Sequence, residues 1–297
     1  MPTPSELEND RPRRSVFGNY NRPVAASGES AANLKPRPAP IPRDAATPHE
    51  SIDAAVARMF LFRFLAKSFE DPEPEGWGWL TAGDVTSSLR SSVETLAPGD
   101  ASALVQRNDE LLSRLTPNAF DDFASAHVTS FGHTVRGDCP MNEIEYGDIK
   151  ADPLFQPHRL SDLGAFFAAF GLELAPDAAE RIDHISIELE FMSVLAAKEA
   201  HAIEHRFGDD TIGLLRDAQK QFLREHLGRW SPAFARRLAR MADGTALGAL
   251  ARLLGEFIRL ECARLNVPPG SEDLLLRPVD DATERLCDSC GIHNNPP

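Results

Sequence analysis

Apolar residues recur at every third or fourth position through most of the chain between residues 52 and 265. This spacing places them along one face of an α-helix. Two such faces are Leu163, Phe166 and Phe170, and Ile185, Leu189 and Met192. No segment shows the apolar–polar alternation that marks a half-buried strand. The pattern therefore predicts an all-α protein that folds as a single-domain helical bundle.

The chain is predicted to divide into three parts. Residues 1–46 are rich in proline and alanine, and the run Lys35-Pro36-Arg37-Pro38 is incompatible with a helix or an interior strand. We expect this arm to be disordered. Thr47-Pro48-His49-Glu50 fits a capping box with proline at the first helical position, which predicts that a helix starts there. The helical domain is predicted over residues 47–270, and a polar tail over 271–297.

Charge and hydropathy exclude several classes of protein. A net charge of −14 argues against nucleic-acid binding and against anionic membrane surfaces. No apolar run is long enough to span a membrane or to act as a secretory signal, so a cytoplasmic protein is expected. Arg13-Arg14-Ser15-Val16-Phe17 is similar to a twin-arginine export signal, but polar residues follow where an apolar region is required. We interpret this motif as a basic pair within the disordered arm.

Two short motifs suggest metal chemistry. His201-Ala202-Ile203-Glu204-His205 fits the HxxEH pattern of inverzincin proteases, but no third protein ligand can be assigned. Cys287 and Cys290 form one CxxC, with His293 nearby, whereas a structural zinc site takes four ligands. The sequence therefore predicts no metal, no cofactor and no catalytic residues. A metal-dependent hydrolase using the first motif, or an iron–sulfur or metal scaffold using the second, is the alternative.

Two clusters of acidic residues flank the predicted helix that contains Ile185. The first comprises Glu143, Glu145 and Asp148, beside Tyr146, and the second comprises Asp177, Glu180, Asp183, Glu188 and Glu190, around His184. The stripe formed by Ile185, Leu189 and Met192 lies beside the second cluster. Carboxylates next to exposed apolar surface suit a partner that is both cationic and hydrophobic. The clusters are therefore interpreted as a binding surface.

Four segments resemble the TorD/DmsD/NarJ family of redox-enzyme maturation chaperones. Residues 180–192, ERIDHISIELEFM, are similar to the family segment usually written ERPDHxxxELEFM, with Ile182 where proline is common. Residues 162–172, DLGAFFAAFGL, resemble the family helix that ends in a Phe-Gly turn. Residues 222–230, FLREHLGRW, resemble a C-terminal signature. Residues 139–147, CPMNEIEYG, resemble the branch that serves type II enzymes of the dimethyl-sulfoxide-reductase group.

This resemblance implies an all-α, TorD-like chaperone, and not an enzyme, which is a monomer or a domain-swapped dimer. Its partner would be the catalytic subunit of a molybdopterin-containing oxidoreductase, bound through a twin-arginine leader or an equivalent segment and held until its cofactor is inserted. Bidentate pairing of carboxylates with arginine agrees with that role. The client-binding residues implied are Asp183, His184, Glu190, Glu143, Glu145, Tyr146, Phe170 and Gly171.

Overall fold

The computed structural model describes residues 51–99, 102–132, 137–147, 155–175 and 178–277, together with the backbone of residues 17–18. Thr47 and Glu50 of the predicted capping box lie outside these residues, as do Asp148, Asp177, Cys287, Cys290 and His293. So do most of the arm and of the tail.

The all-α prediction is confirmed, since the described residues form ten α-helices. They are α1 (Ile52–Ser68), α2 (Pro74–Leu80), α3 (Gly83–Leu96), α4 (Ala103–Leu112), α5 (Phe120–Phe131), α6 (Phe155–Ala169), α7 (Ile185–Glu204), α8 (Asp209–Glu225), α9 (Leu227–Met241) and α10 (Ala246–Arg264). Single 3₁₀-helical turns occupy Pro117–Ala119 and Glu143–Glu145. Strands β1 (Phe17–Gly18) and β2 (Glu173–Leu174) have two residues each.

The bundle is built around α7, which packs against α1 over most of its length and against α8 on another side. Helices α9 and α10 pack together, and α10 also contacts α4. Because α7 is covered by several helices, most of its residues are buried, including Ile185, Leu189 and Met192. The expectation that these three form an exposed apolar stripe is therefore wrong; they are part of the core.

Helix α1 begins at Ile52, and Ser51 is its N-cap, with Oγ accepting from the backbone N–H of Ala54 at 3.2 Å. The helix thus begins later than the predicted start at Pro48. Serine satisfies a backbone donor that has no partner within the first helical turn, which explains why the helix starts after it.

Helix α6 ends as the sequence predicts. Gly171 adopts φ +73°, a left-handed conformation that glycine tolerates best. The N–H of Gly171 bonds to the carbonyl of Ala168, and the N–H of Leu172 bonds to that of Phe167, both at 3.0 Å. This pair of bonds is the Schellman motif. It turns the chain directly into β2.

The junction of α8 and α9 does not follow the local sequence signals. Gly228 is typical of a helix end and Ser231-Pro232 of a helix start, but α9 begins at Leu227 and includes all three residues. Proline lacks an N–H, so Pro232 leaves the carbonyl of Gly228 without its helical donor. That carbonyl accepts instead from the N–H of Gly270 at 2.9 Å. The segment after α10 is thereby attached to α9.

No helix in the described parts of the chain combines the length and apolar character needed to cross a membrane.

Candidate functional site

The structure brings two of the motif segments together. Residues 137–147, here called the motif loop, lie across the N-terminus of α7, where Asn142 and His184 form an antiparallel bridge. The N–H of Ile185 bonds to the carbonyl of Met141, and the N–H of Glu143 to that of Asp183, both at 2.9 Å. Residues forty positions apart in sequence therefore form one local structure.

Asp183 lies at the centre of this junction and is completely buried. Its carboxylate accepts from Nε and Nη2 of Arg181 at 2.9 and 2.8 Å. It also accepts from Nδ2 of Asn142 at 3.2 Å and from the backbone N–H of Ile144 at 3.3 Å. The expectation of an exposed carboxylate that is ready for a partner's arginine is wrong, because the chain's own Arg181 takes that position.

Glu143 is also fully buried, and three basic side chains surround it. Its carboxylate lies 2.7 Å from Nη2 of Arg159, 3.0 Å from Nδ1 of His226 and 3.4 Å from Nη2 of Arg229. Arg159 also donates to the backbone carbonyl of Glu225. Burial lowers the pKa of Arg229, and the neighbouring Arg159 lowers it further. Glu143 thus neutralises positive charge inside the protein and is not part of an acidic surface.

Glu188 is a third buried carboxyl, packed against Trp230. The indole Nε1 donates to both oxygens at 3.2 and 3.1 Å. Complete burial raises the pKa of Glu188 well above its ordinary value, and the nearby charge of Glu143 adds to this. The side chain therefore retains its proton under conditions where an exposed glutamate would be charged. It was assigned to the acidic surface cluster, and that assignment is wrong.

The other side of the motif loop contacts residues 275–277. Tyr146 is buried, its ring centroid lies 5.1 Å from that of Trp230 in a tilted arrangement, and its hydroxyl donates to the carbonyl of Pro140 at 2.8 Å. Burial raises the pKa of Tyr146 well above its ordinary value. Its backbone pairs with Leu276, and the carbonyl of buried Glu145 accepts from the N–H of Arg277 at 2.8 Å. Residues assigned to the polar tail thus help to hold the loop.

The remaining predicted residues are Glu190 of α7 and Phe170 and Gly171, which follow α6. Phe170 is half-buried and packs 5.9 Å from Phe191, while Gly171 is exposed and Glu190 is half-buried. Phe191 follows His184 by seven positions, which is about two helical turns. The predicted site residues therefore fall into two groups, one at the start of α7 and one beside its middle.

His184 is the N-cap of α7, and its Nδ1 accepts from the backbone N–H of Ser186 at 3.3 Å. Its Nε2 lies 3.6 Å from Oε2 of Glu180. Burial lowers the pKa of His184 to about 4, although Asp183 opposes this shift. The imidazole is therefore neutral near pH 7. Burial raises the pKa of Glu180, and the charges of Asp71 and Glu70 raise it further.

A cavity of about 350 Å³ opens between the α1–α2 connection and α5. We call it the acidic–aromatic groove; its aromatic lining is Trp77, Trp79, Phe120 and Phe123, and its acidic lining is Glu70, Asp71, Glu73 and Glu75. Arg63 and Lys67 also line it, and Lys67 pairs with Glu70 at 2.7 Å. Asp71 and Glu75 are exposed. Acidic groups beside aromatic faces attract a guanidinium both by charge and by cation–π interaction.

This groove was not predicted from the sequence. Its signal is the stretch of residues 70–79, EDPEPEGWGW, in which four acids and two tryptophans stand within ten positions. Phe120 and Phe123 of α5 complete the groove. They lie about forty positions away, and nothing in their local sequence predicts the contact.

A buried ionic network was also missed. Arg58 of α1 is fully buried and lies 3.3 Å from Glu199 of α7 and 3.9 Å from Glu261 of α10. Arg216 and Gln219 of α8 also donate to Glu199, at 2.6 and 2.8 Å. Glu199 thus joins α1, α7 and α8, and Arg58 connects this group to Glu261 of α10, which suits a role in fixing the register of the four helices.

His201, Glu204 and His205 form the one group of three potential metal ligands among the described residues, with ligand atoms within 4.8 Å of one another. All three are exposed at the end of α7. Nδ1 of His205 already lies 2.9 Å from the carbonyl of His201. A catalytic zinc requires enclosure as well as ligands, so this arrangement does not support the hydrolase alternative.

Comparison with known proteins identifies relatives. The family described as Nitrate reductase delta subunit matches residues 95–236. The perchlorate reductase assembly chaperone protein of Dechloromonas aromatica (strain RCB) is 27% identical over 184 residues, which cover 62% of this chain and 78% of the relative. The selenate reductase assembly chaperone protein of Thauera selenatis is 36% identical over 164 residues, covering 52% of this chain and 79% of the relative.

The chaperone protein TorD of Vibrio cholerae serotype O1 (strain M66-2) is 31% identical over 117 residues, covering 39% of this chain and 51% of the relative. No solved structure matches the chain. The helical fold, the motif loop clasped to the start of α7 and the extent of these similarities lead to one conclusion: the chain belongs to the TorD/DmsD/NarJ family of redox-enzyme assembly chaperones.

Proposed function

We propose that this protein is a cytoplasmic, non-catalytic chaperone for the immature catalytic subunit of a molybdopterin oxidoreductase. It would bind the subunit's twin-arginine leader, or an equivalent segment, and hold the subunit until its cofactor is inserted. The observation that carries this proposal is the similarity to assembly chaperones of perchlorate and selenate reductases over more than three quarters of their length.

Electrostatics indicates which surface the client would contact. Asp183 and Glu143 are buried and already paired with arginines of the chain. Opening the Glu143–Arg159 pair would leave a fully buried charge unpaired, which costs about 3–5 kcal/mol. Asp183 is closed to an outside arginine by its bonds to Arg181, Asn142 and Ile144. The exposed acids of the acidic–aromatic groove require no such opening.

We therefore assign two roles within the proposed client-binding region. Asp183, His184, Glu143, Glu145 and Tyr146 position the motif loop, and Glu180 lies between His184 and Asp71 of the groove. The groove itself would receive cationic side chains of the client. Phe170, Gly171 and Glu190 would extend the contact along α7, where an apolar part of the leader follows the arginines.

Affinity capture of the tagged full-length chain from its native host, followed by mass spectrometry, tests the proposed function. We expect a molybdopterin oxidoreductase catalytic subunit to co-purify. Asp71→Lys should reduce its recovery about tenfold, a loss of ~1.4 kcal/mol, because it places a cation where the client's arginine would bind. Recovery should also fall with added salt, since exposed charges are screened.

The matched control is Glu94→Lys, which reverses an equally exposed acid on α3, away from the groove. It should leave recovery unchanged. Absence of any such subunit from the wild-type capture would contradict the proposed function. Equal losses in both variants would contradict the assignment of the groove while leaving the function intact. Light scattering of the purified complex would distinguish a monomer from a domain-swapped dimer.

A further inference from the structure

The arm contacts the helical domain at one described point. Strand β1 pairs with β2 in antiparallel register, with Phe17 opposite Leu174 and Gly18 opposite Glu173. These partners are separated by more than 150 positions. Among the described residues, this sheet consists of the two strands alone. Without β1, β2 would therefore be an extended segment with open backbone hydrogen-bonding groups.

Strand β2 is fixed to the domain. The Schellman turn at Gly171 leads into it, Leu172 is buried, and Leu174 packs against the hydrophobic core. Glu173, between them, is exposed. An extended segment held in this way offers backbone donors and acceptors to a second strand, which is the basis of peptide binding by strand addition.

The strand that occupies β2 belongs to a strongly basic stretch. Residues 11–22, RPRRSVFGNYNR, contain four arginines, two aromatic residues and no acid. Arg13 and Arg14 stand just before β1 in the twin-arginine-like motif, and β1 pairs beside the exposed Glu173. In an overall acidic protein, this composition favours contact between the stretch and the domain.

We propose that β2 is a strand-addition site for an extended peptide rich in arginine and aromatic residues, and that β1 of the same chain occupies it in cis. A client leader with a similar motif would then bind by displacing β1; this last step rests on the proposed function. The arm would keep the site covered until a competing peptide arrives.

A tethered strand competes strongly with a free peptide. Because β1 belongs to the same chain, its effective concentration at β2 is on the order of 1 mM. If β1 binds open β2 with an intrinsic Kd of about 0.1 mM, it occupies β2 about 90% of the time, and a competing peptide should bind the wild-type chain roughly tenfold more weakly than it binds open β2.

Cross-linking tests whether β1 lies on β2. Gly18→Cys with Glu173→Cys places cysteines directly opposite each other, at a Cα separation that a disulfide can bridge. The background is full-length chain with Cys287→Ser and Cys290→Ser. We expect mild oxidation to close the disulfide within the monomer, detected by mass spectrometry of a digest. The two single-cysteine variants are the controls. No cross-link above the background of these controls would overturn the proposal.

Competition tests whether β2 accepts a peptide. The probe is a fluorescent peptide of residues 11–22, titrated into full-length protein. Phe17→Pro with Gly18→Pro, which removes the N–H groups of β1, should bind the probe about tenfold more tightly than wild type. Val24→Pro with Ala25→Pro, elsewhere in the arm, should bind it as wild type does. The oxidised cross-linked chain should not bind, and reduction should restore binding.

These outcomes separate the two proposals. Probe affinity that is the same in all variants would overturn strand addition at β2, whatever client the chain captures. A cross-link and probe competition without any captured oxidoreductase subunit would support the strand-addition site and contradict the proposed function.

Discussion

Asp183 lies at the point where the motif loop meets α7, and its replacement by alanine gives the sharpest test of how this region is held together. The change removes the acceptor for two buried donors, the backbone N–H of Ile144 and Nδ2 of Asn142. Each buried donor left without a partner costs about 1–3 kcal/mol. The side chain of Arg181 is 42% exposed, so its pair with Asp183 adds less than about 1 kcal/mol after screening by water.

Together these losses give an expected decrease of about 3–5 kcal/mol in the free energy of unfolding. For a domain of this size, that corresponds to a Tm lower by roughly 10 °C. Urea denaturation followed by circular dichroism measures the first quantity, and differential scanning calorimetry measures the second.

Asp162→Ala is the matched control, because Asp162 is an exposed aspartate on α6, and it should change stability by less than about 0.5 kcal/mol. Asp183→Asn, which retains one acceptor oxygen, should fall between the two. A loss below about 1 kcal/mol in Asp183→Ala would refute the reasoning, since it would mean that the buried donors find other partners at little cost.

Three further predictions follow from single side chains. Burial lowers the pKa of His184 to about 4, so between about pH 6.5 and pH 4 the unfolded chain binds a proton that the folded state does not. The free energy of unfolding, measured in urea, should therefore fall as the pH is lowered through this range, and it should fall less in His184→Asn. Burial raises the pKa of Glu188, so the unfolded chain releases this proton at a lower pH than the folded state does, and stability falls as the pH rises. The Tm of Glu188→Gln should therefore increase relative to that of wild type between pH 5 and 9, and a constant Tm difference would contradict this. Gly228→Ala would bring Cβ to 2.5 Å from the carbonyl oxygen of Leu223 and should destabilise by about 1–3 kcal/mol, whereas Gly213→Ala, which meets open space on α8, should stabilise slightly.

The helices were predictable because each requires only local information. The spacing of Leu163, Phe166 and Phe170 and the glycine that follows are sufficient to predict α6 and its Schellman end. Gly228 gives the same local signal for a helix end, but it lies inside α9. It allows α9 to pack closely against Leu223 and Cys262, a contact that no local pattern reveals.

The acidic residues could be located from the sequence, but the sequence did not show which of them are buried and which are exposed. Glu143 meets its partners Arg159, His226 and Arg229 at separations of 16, 83 and 86 positions. Nothing in the local sequence distinguishes a carboxylate with such distant partners from an exposed one. The resemblance to a known family therefore pointed to segments that the fold brings together, while the burial and pairing of their carboxylates required the three-dimensional fold.

The motif loop is held from two sides, by residues 183–185 and by residues 275–277. Its bridges, Asn142 to His184 and Tyr146 to Leu276, span 42 and 130 positions of the chain. Contacts of such high contact order form late in folding, and the second segment is synthesised after every described helix. In amide-exchange experiments, we expect the backbone N–H groups of the loop to become protected last during refolding. In mild denaturant, they should lose protection before those of α7. A nascent chain would therefore have a nearly complete helical core well before its motif loop acquires its final shape.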